Sequence, residues 1–186
     1  MNGVPAPSYS PAASLANDIS GFIFAPKSIV MAQEIERKFL VKGDFLGEVC
    51  ESHHIVQGYL NSSKGRTVRV RVKDSQAYIT VKGPSLDGGL SRYEWEMEIP
   101  LEDANALMEL AEPTPIAKTR HIVRSTGSHP WEIDVFEGAN AGLIIAEIEL
   151  KSVDEDVELP GWLGQEVTGD RRYYNSYLSN HPFTTW

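Results

Sequence analysis

From Glu34 onward the chain alternates with a period of two, and charges of one sign take every second position within a segment. In VRVRV (68–72), Val68, Val70 and Val72 interleave with Arg69 and Arg71; in YEWEME (93–98), Tyr93, Trp95 and Met97 interleave with Glu94, Glu96 and Glu98. Trp131, Ile133 and Val135 alternate with Glu132 and Asp134, and Ile148 and Leu150 with Glu147 and Glu149. Lys118 and Arg120 keep the same spacing, Gln57 and Tyr59 keep it with less charge, and Lys82 ends its segment alone. Side chains point to opposite faces at successive strand positions, so this pattern predicts strands with one charged and one apolar face.

The segments EIERKFLV, HIVQGYL, RTVRVRV, AYITVKG, SRYEWEMEI, IAKTRHIVRS, HPWEIDVFEG and GLIIAEIELKS all read as strands. The run at 84–89 (PSLDGG) reads as a turn, and Gly127 and Asn140–Gly142 supply others. A short helix is predicted over 101–111, where helix formers follow Pro100 and acids occupy the first turn. A second is predicted through 172–180, capped by Asp170 or Thr168, and a third through 44–52, started by Asp44. The class is mainly β (α+β). So many successive strands joined by short loops must dispose of their edges, and closing an antiparallel sheet into a barrel with a few flanking helices does so.

The apolar fraction of 41% suits a soluble globular domain. A net charge of −9 and a pI near 5.0 argue against a nucleic-acid-coating surface, while leaving room for a local basic cavity. No apolar run reaches the length of a membrane-spanning helix, so neither nucleic acid nor membrane is an expected partner. The single Cys50 excludes an internal disulfide and suits a reducing, cytoplasmic setting. Residues 1–31 are rich in Pro, Ser and Ala and lack the basic and apolar regions of a secretory signal. They read as a disordered leader, with Met31 an alternative start, ahead of a folded domain over 32–186.

The one-signed strands carry the functional reading. A solvated face mixes charges across strands, whereas large residues opposite the charges here, Trp95 and Trp131, also need burial. Both faces are then interior, and the charged one lines a cavity filled by something highly charged. Lys38, Arg69, Arg71, Lys82, Lys118 and Arg120 suit several phosphates. Glu34, Glu36, Glu94, Glu96, Glu132, Asp134, Glu147 and Glu149 would repel those phosphates unless divalent cations lie between; hard oxygen ligands select Mg²⁺, Mn²⁺ or Ca²⁺ over zinc. The expected ligand is a polyphosphate with metal ions. His53 and His54 are adjacent on a strand and point apart, so they make no chelating pair.

EIERK (34–38) resembles the ExExK signature of the CYTH superfamily, the triphosphate tunnel metalloenzymes. The ordered series behind it, QGYL, VRVR, ITVKG, GGLSRYEWEMEI, KTR, WEIDVF, AEIEL and EVTGDRRYYN, is similar to a whole short bacterial-type member over roughly residues 33–180. The resemblance implies a closed eight-stranded antiparallel tunnel and metal-dependent hydrolysis of a triphosphate, commonly inorganic tripolyphosphate. It implies two ions, Mg²⁺ or Mn²⁺, on Glu34, Glu36, Glu147 and Glu149, with Asp134 a further ligand. Arg69, Arg71, Lys82, Lys118 and Arg120, with Lys38, become the phosphate cradle. Glu94 or Glu96 holds the second metal or orients water, and Lys38 with Tyr59 resembles an assisting lysine–tyrosine pair. Arg171 and Arg172 reach a tunnel mouth or stay as surface charge. Dimers occur in the family, so a homodimer is compatible with it. Competing readings are a class IV-type adenylate cyclase, a thiamine triphosphatase, and a non-catalytic module that binds polyphosphate or nucleotide.

Overall fold

The computed structural model describes residues 35–61, 66–86, 91–112, 114–125, 127, 129–152 and 154–186, with backbone alone at 84–86 and 91–93. Glu34 and the leader at 1–31 lie outside the described residues.

Among the described residues nine strands form one antiparallel sheet: β1 (Ile35–Val41), β2 (Val49–Asn61), β3 (Thr67–Lys73), β4 (Gln76–Leu86), β5 (Ser91–Ile99), β6 (Ile116–Val123), β7 (Trp131–Phe136), β8 (Ile144–Leu150) and β9 (Leu163–Glu166). Their order is β5-β4-β3-β2-β6-β7-β8-β1-β9, so β5 and β9 stand at the two ends. Two helices accompany them, α1 (Leu101–Met108) and α2 (Asn175–Leu178).

The alternation places the strands as expected, with four corrections. The strand count is nine rather than eight: β9 pairs with β1, and its four residues show no alternation to announce it. Gly164 is what lets β9 in, because a Cβ there would lie 2.9 Å from the Leu40 carbonyl oxygen. The helix expected over 44–52 is a single 3-10 turn at Leu46–Glu48, after which β2 begins at Val49 and pairs with β6. Asp44 does accept from the Leu46 N–H at 3.0 Å, but pairing with β6 outweighs helix propagation. The turn expected over 84–89 gives way to strand at 84–86, and the rest of it lies outside the described residues. β4 continues to Leu86, and the register shifts between Lys82 and Ser85, where Pro84 has no N–H to offer the ladder. The last helix is broken into a 3-10 turn at Arg171–Tyr173, capped by Asp170, and the short α2.

One face of the sheet is apolar and carries two covers. On β1, β6, β7 and β8, Phe39, Val123, Trp131, Ile133, Ala146 and Ile148 pack beneath Phe45, Trp162 and Leu163. Trp131 meets Phe39 and Trp162 edge to face, at 5.7 Å in each case, rather than packing against a helix. On β2, β3 and β4, α1 lays Ala104, Leu107 and Met108 over Val70, Ala77 and Ile79. Gly58 permits that approach, since a Cβ would meet Ala111 at 2.5 Å and Met108 at 2.7 Å. Trp95 of β5, expected to need burial, and Met97 on the same strand stay 36% and 40% exposed.

The opposite face carries the charges, then turns apolar along the same rows. Leu40 follows Glu36 and Lys38; Ile116 precedes Lys118 and Arg120; Phe136 follows Glu132 and Asp134; Ile145 precedes Glu147 and Glu149. These four apolar residues gather with Leu143 beneath Leu178 of α2, Tyr173 and Phe183. The C-terminal segment is tied down there by the Phe183 N–H donating to Asn140 Oδ1 at 2.8 Å. Among the described residues no helix is long and apolar enough to cross a membrane.

Candidate functional site

Cross-strand register brings the charged positions side by side. On one half of the sheet Lys38 faces Glu147, Glu36 faces Glu149, Glu147 faces Glu132, and Arg120 faces Asp134. On the other half Tyr59 faces Arg69, Arg69 faces Thr80, Thr80 faces Glu96, and Lys82 faces Glu94. Opposite residues on paired strands share a face, so every sequence-predicted site residue among the described ones lies on a single surface.

The half built on β1, β6, β7 and β8 is acid-rich. Lys38 Nζ sits 3.0 Å from Glu36 and donates to Glu147. Arg120 grips Asp134 through Nε and Nη2, both at 2.7 Å, reaches Glu147 at 3.0 Å, and also bonds Glu132. Lys118, fully buried over the Phe136 ring, donates to Asp134. Burial works against the Lys38 ammonium, but the charges of Glu147 and Glu36 outweigh it and raise its pKa. For Lys118 burial wins over Asp134, and its pKa falls. Burial pushes the Asp134 carboxyl up, yet Lys118 and Arg120 hold it far below the usual carboxylate range. Glu147 is lowered likewise, with Lys38 overcoming burial.

The half built on β3, β4 and β5 is cation-rich: Arg69, Arg71 and Lys82 stand against Glu94 and Glu96. Arg71 Nη2 reaches both Glu96 oxygens at 3.2 Å, and Lys82 meets Glu94 at 2.9 Å. Thr80, fully buried, accepts from Arg69 Nη2 at 3.2 Å and donates to Glu96 at 2.7 Å. Sequence reasoning passed over Thr80; its only signal was the two-residue spacing to Lys82. The Nε atoms of Arg69 and Arg71 are buried and have no hydrogen-bond partner among the described residues. Burial, reinforced by the neighbouring Arg71, lowers the Arg69 pKa.

Tyr59 joins the halves. Its phenol accepts from Gln57 at 3.1 Å and is pushed up to about 12, chiefly by burial. Arg69 and Lys38 both act on it electrostatically, as does Glu147. Groups from both halves of the charged face therefore act on this one phenol.

The remaining candidates stay on the periphery. Arg172 pairs with Asp170 and lies over Tyr173 and Trp186. His53 pairs with Asp74 and Glu51, while His54 turns towards Glu137. Among the described residues no three His, Cys, Asp or Glu side chains gather as a metal-binding group. Glu36 and Glu147 nevertheless converge on one cation, the Lys38 ammonium, and carboxylate oxygens are the donors Mg²⁺ and Mn²⁺ take.

Comparison with known proteins gives a consistent picture. The profile described as CYTH domain matches residues 32–175. An inorganic triphosphatase of Acetivibrio thermocellus is 45% identical over 154 residues, covering 82% of this chain and 97% of that protein. An inorganic triphosphatase of Nitrosomonas europaea is 35% identical, covering 78% and 96%. A crystal structure of an inorganic triphosphatase superposes with a TM-score of 0.62 at 32% identity, covering 80% of this chain and 95% of that one.

Proposed function

The chain belongs to the CYTH domain family, and from that premise we propose that it is a metal-dependent inorganic triphosphatase acting on tripolyphosphate at the charged face of the sheet. The observation that carries the reading is the pair of buried, unpartnered Nε atoms on Arg69 and Arg71. A buried N–H without a partner is costly, and two on neighbouring guanidinium groups call for an anionic acceptor with several oxygens. The 45% identity to an inorganic triphosphatase over 82% of the chain supports the choice of anion.

The two halves divide the labour. The cation-rich half, with Arg69, Arg71 and Lys82, binds phosphate oxygens. The acid-rich half offers Glu36, Glu147 and Glu149 to Mg²⁺ or Mn²⁺ ions; Glu34, outside the described residues, is assigned to them by the family signature alone. Such ions, when bound, supply charge neutralisation and a polarised phosphoryl group. Both Asp134 oxygens are engaged by Lys118 and Arg120, so ligation by Asp134 would require one of those pairs to open. Lys38, Lys118 and Arg120 complete the cradle around the phosphates. Tyr59 keeps its proton at neutral pH and serves as a donor beside Lys38, not as a base.

Glu94 is assigned to hold the second metal or orient the attacking water, while Glu96, tied to Arg71 and Thr80, braces the cradle. The water oxygen forms a bond to the terminal phosphorus as the bond to the bridging oxygen breaks, releasing phosphate and diphosphate, and the proton the water loses passes to solvent. Fixed charges aimed at the developing anion supply most of the acceleration. The charged face is read as the wall of a tunnel.

The test is a substrate panel. With Mg²⁺ or Mn²⁺, phosphate release from tripolyphosphate should far exceed that from ATP or thiamine triphosphate. Cyclic AMP formation from ATP would overturn the reading in favour of a cyclase, and tight binding without turnover would favour a binding module.

A further inference from the structure

Two arginines two residues apart on one strand repel each other, and neither is anchored by its Nε. Something on the protein side must set where each guanidinium points. For Arg71 the carboxylate of Glu96 does so, through Nη2. For Arg69 the same carboxylate is 3.6 Å away, too far for a good hydrogen bond, and the gap is filled by the Thr80 hydroxyl.

The register explains why a threonine fits. Arg69, Thr80 and Glu96 lie opposite one another across β3, β4 and β5. A hydroxyl both accepts and donates, so Thr80 takes the Arg69 Nη2 proton at 3.2 Å and gives its own to Glu96 at 2.7 Å. The β-branched side chain is stiff about χ1, and Thr80 is completely buried, so this oxygen has little freedom to move.

We propose that Thr80 is a positioning residue for substrate binding: its hydroxyl couples Arg69 to Glu96 and so aims the unpartnered Arg69 Nε at a phosphate oxygen. Thr80 itself does not touch the phosphates. This assignment rests on the triphosphatase reading, and its role belongs to affinity for the polyanion before chemistry. Removing the hydroxyl leaves Glu96 with one donor fewer and Arg69 free to swing, while the strand and its packing persist.

The test compares wild type, Thr80→Val and Thr80→Ser in three measurements: tripolyphosphate binding by calorimetry in EDTA, kcat and KM with Mg²⁺, and the thermal midpoint. Thr80→Val, close in shape, should weaken binding and raise KM about tenfold, the value of one hydrogen bond to a charged group, with kcat changed much less. Thr80→Ser, which restores the hydroxyl, should return KM to near wild type. Wild-type KM in Thr80→Val, or a Thr80→Ser as impaired as Thr80→Val, would overturn the proposal. A lowered midpoint with unchanged KM would also overturn it, because that is what a purely structural hydroxyl gives. Should Thr80→Val not fold, Thr80→Ala must show the same KM rise. If wild type neither binds nor hydrolyses tripolyphosphate, the triphosphatase reading fails and this proposal with it. A working wild type with an unaffected Thr80→Val refutes the proposal alone.

Discussion

Tyr59 shows how far a single environment sets chemistry in this site. Burial, opposed by Arg69 and Lys38, moves the phenol from 10.0 to about 12. A raised folded-state pKa means the native state holds the proton more tightly than the unfolded chain does. That contribution to stability is complete below pH 10 and is lost as pH rises through 12. Subtracting the alkaline tyrosinate absorbance titration of Tyr59→Phe from that of wild type should leave one group titrating near 12; a difference centred at 10 would contradict the burial argument. At this scale the charged residues were readable from alternation alone, because parity fixes which positions share a face. What alternation hides is the partner across the strand. Nothing in the sequence distinguished Asp134, gripped by two cations, from Glu149 on the same face of the next strand. Thr80, a neutral residue between an arginine strand and a glutamate strand, gave almost no signal.

Elements tell a similar story about pairing. β3 and β7 are legible from their alternating residues, whereas β9 exists because β1 offers an edge and Gly164 can approach Leu40. The helix expected at 44–52 lost to strand pairing, a tertiary choice that local propensity does not contain. The most constrained contact between elements is α1 on β2. Gly58→Ala places a methyl where Ala111 and Met108 already sit, so α1 must shift outward. We expect a loss of about 1–3 kcal/mol in a denaturant titration, the usual cost of overpacking. Because Gly58 points away from the charged face, KM for tripolyphosphate should change little. A stability equal to wild type would show that α1 is not seated as described.

For the whole molecule, the sheet separates two environments with one chain. Apolar layers under Trp162 and under α1 hold one side, and the charged face is floored by Leu178, Tyr173 and Phe183. The parity that seats Ile116, Phe136 and Ile145 in that floor was in the sequence, but their cover comes from the distant C-terminus. Across the charged face, cations prevail near β3 and β4 and carboxylates near β1, β7 and β8. A polyphosphate lying between these halves would bring its own cations to the acidic side. Turnover by this site therefore requires that the carboxylates of β1 hold a metal. The direct measurement is Mg²⁺-dependent phosphate release from tripolyphosphate by Glu36→Ala beside wild type, with circular dichroism to confirm the sheet. The prediction is a fall on the order of a hundredfold or more with the sheet intact; near-normal release by the folded variant would contradict it.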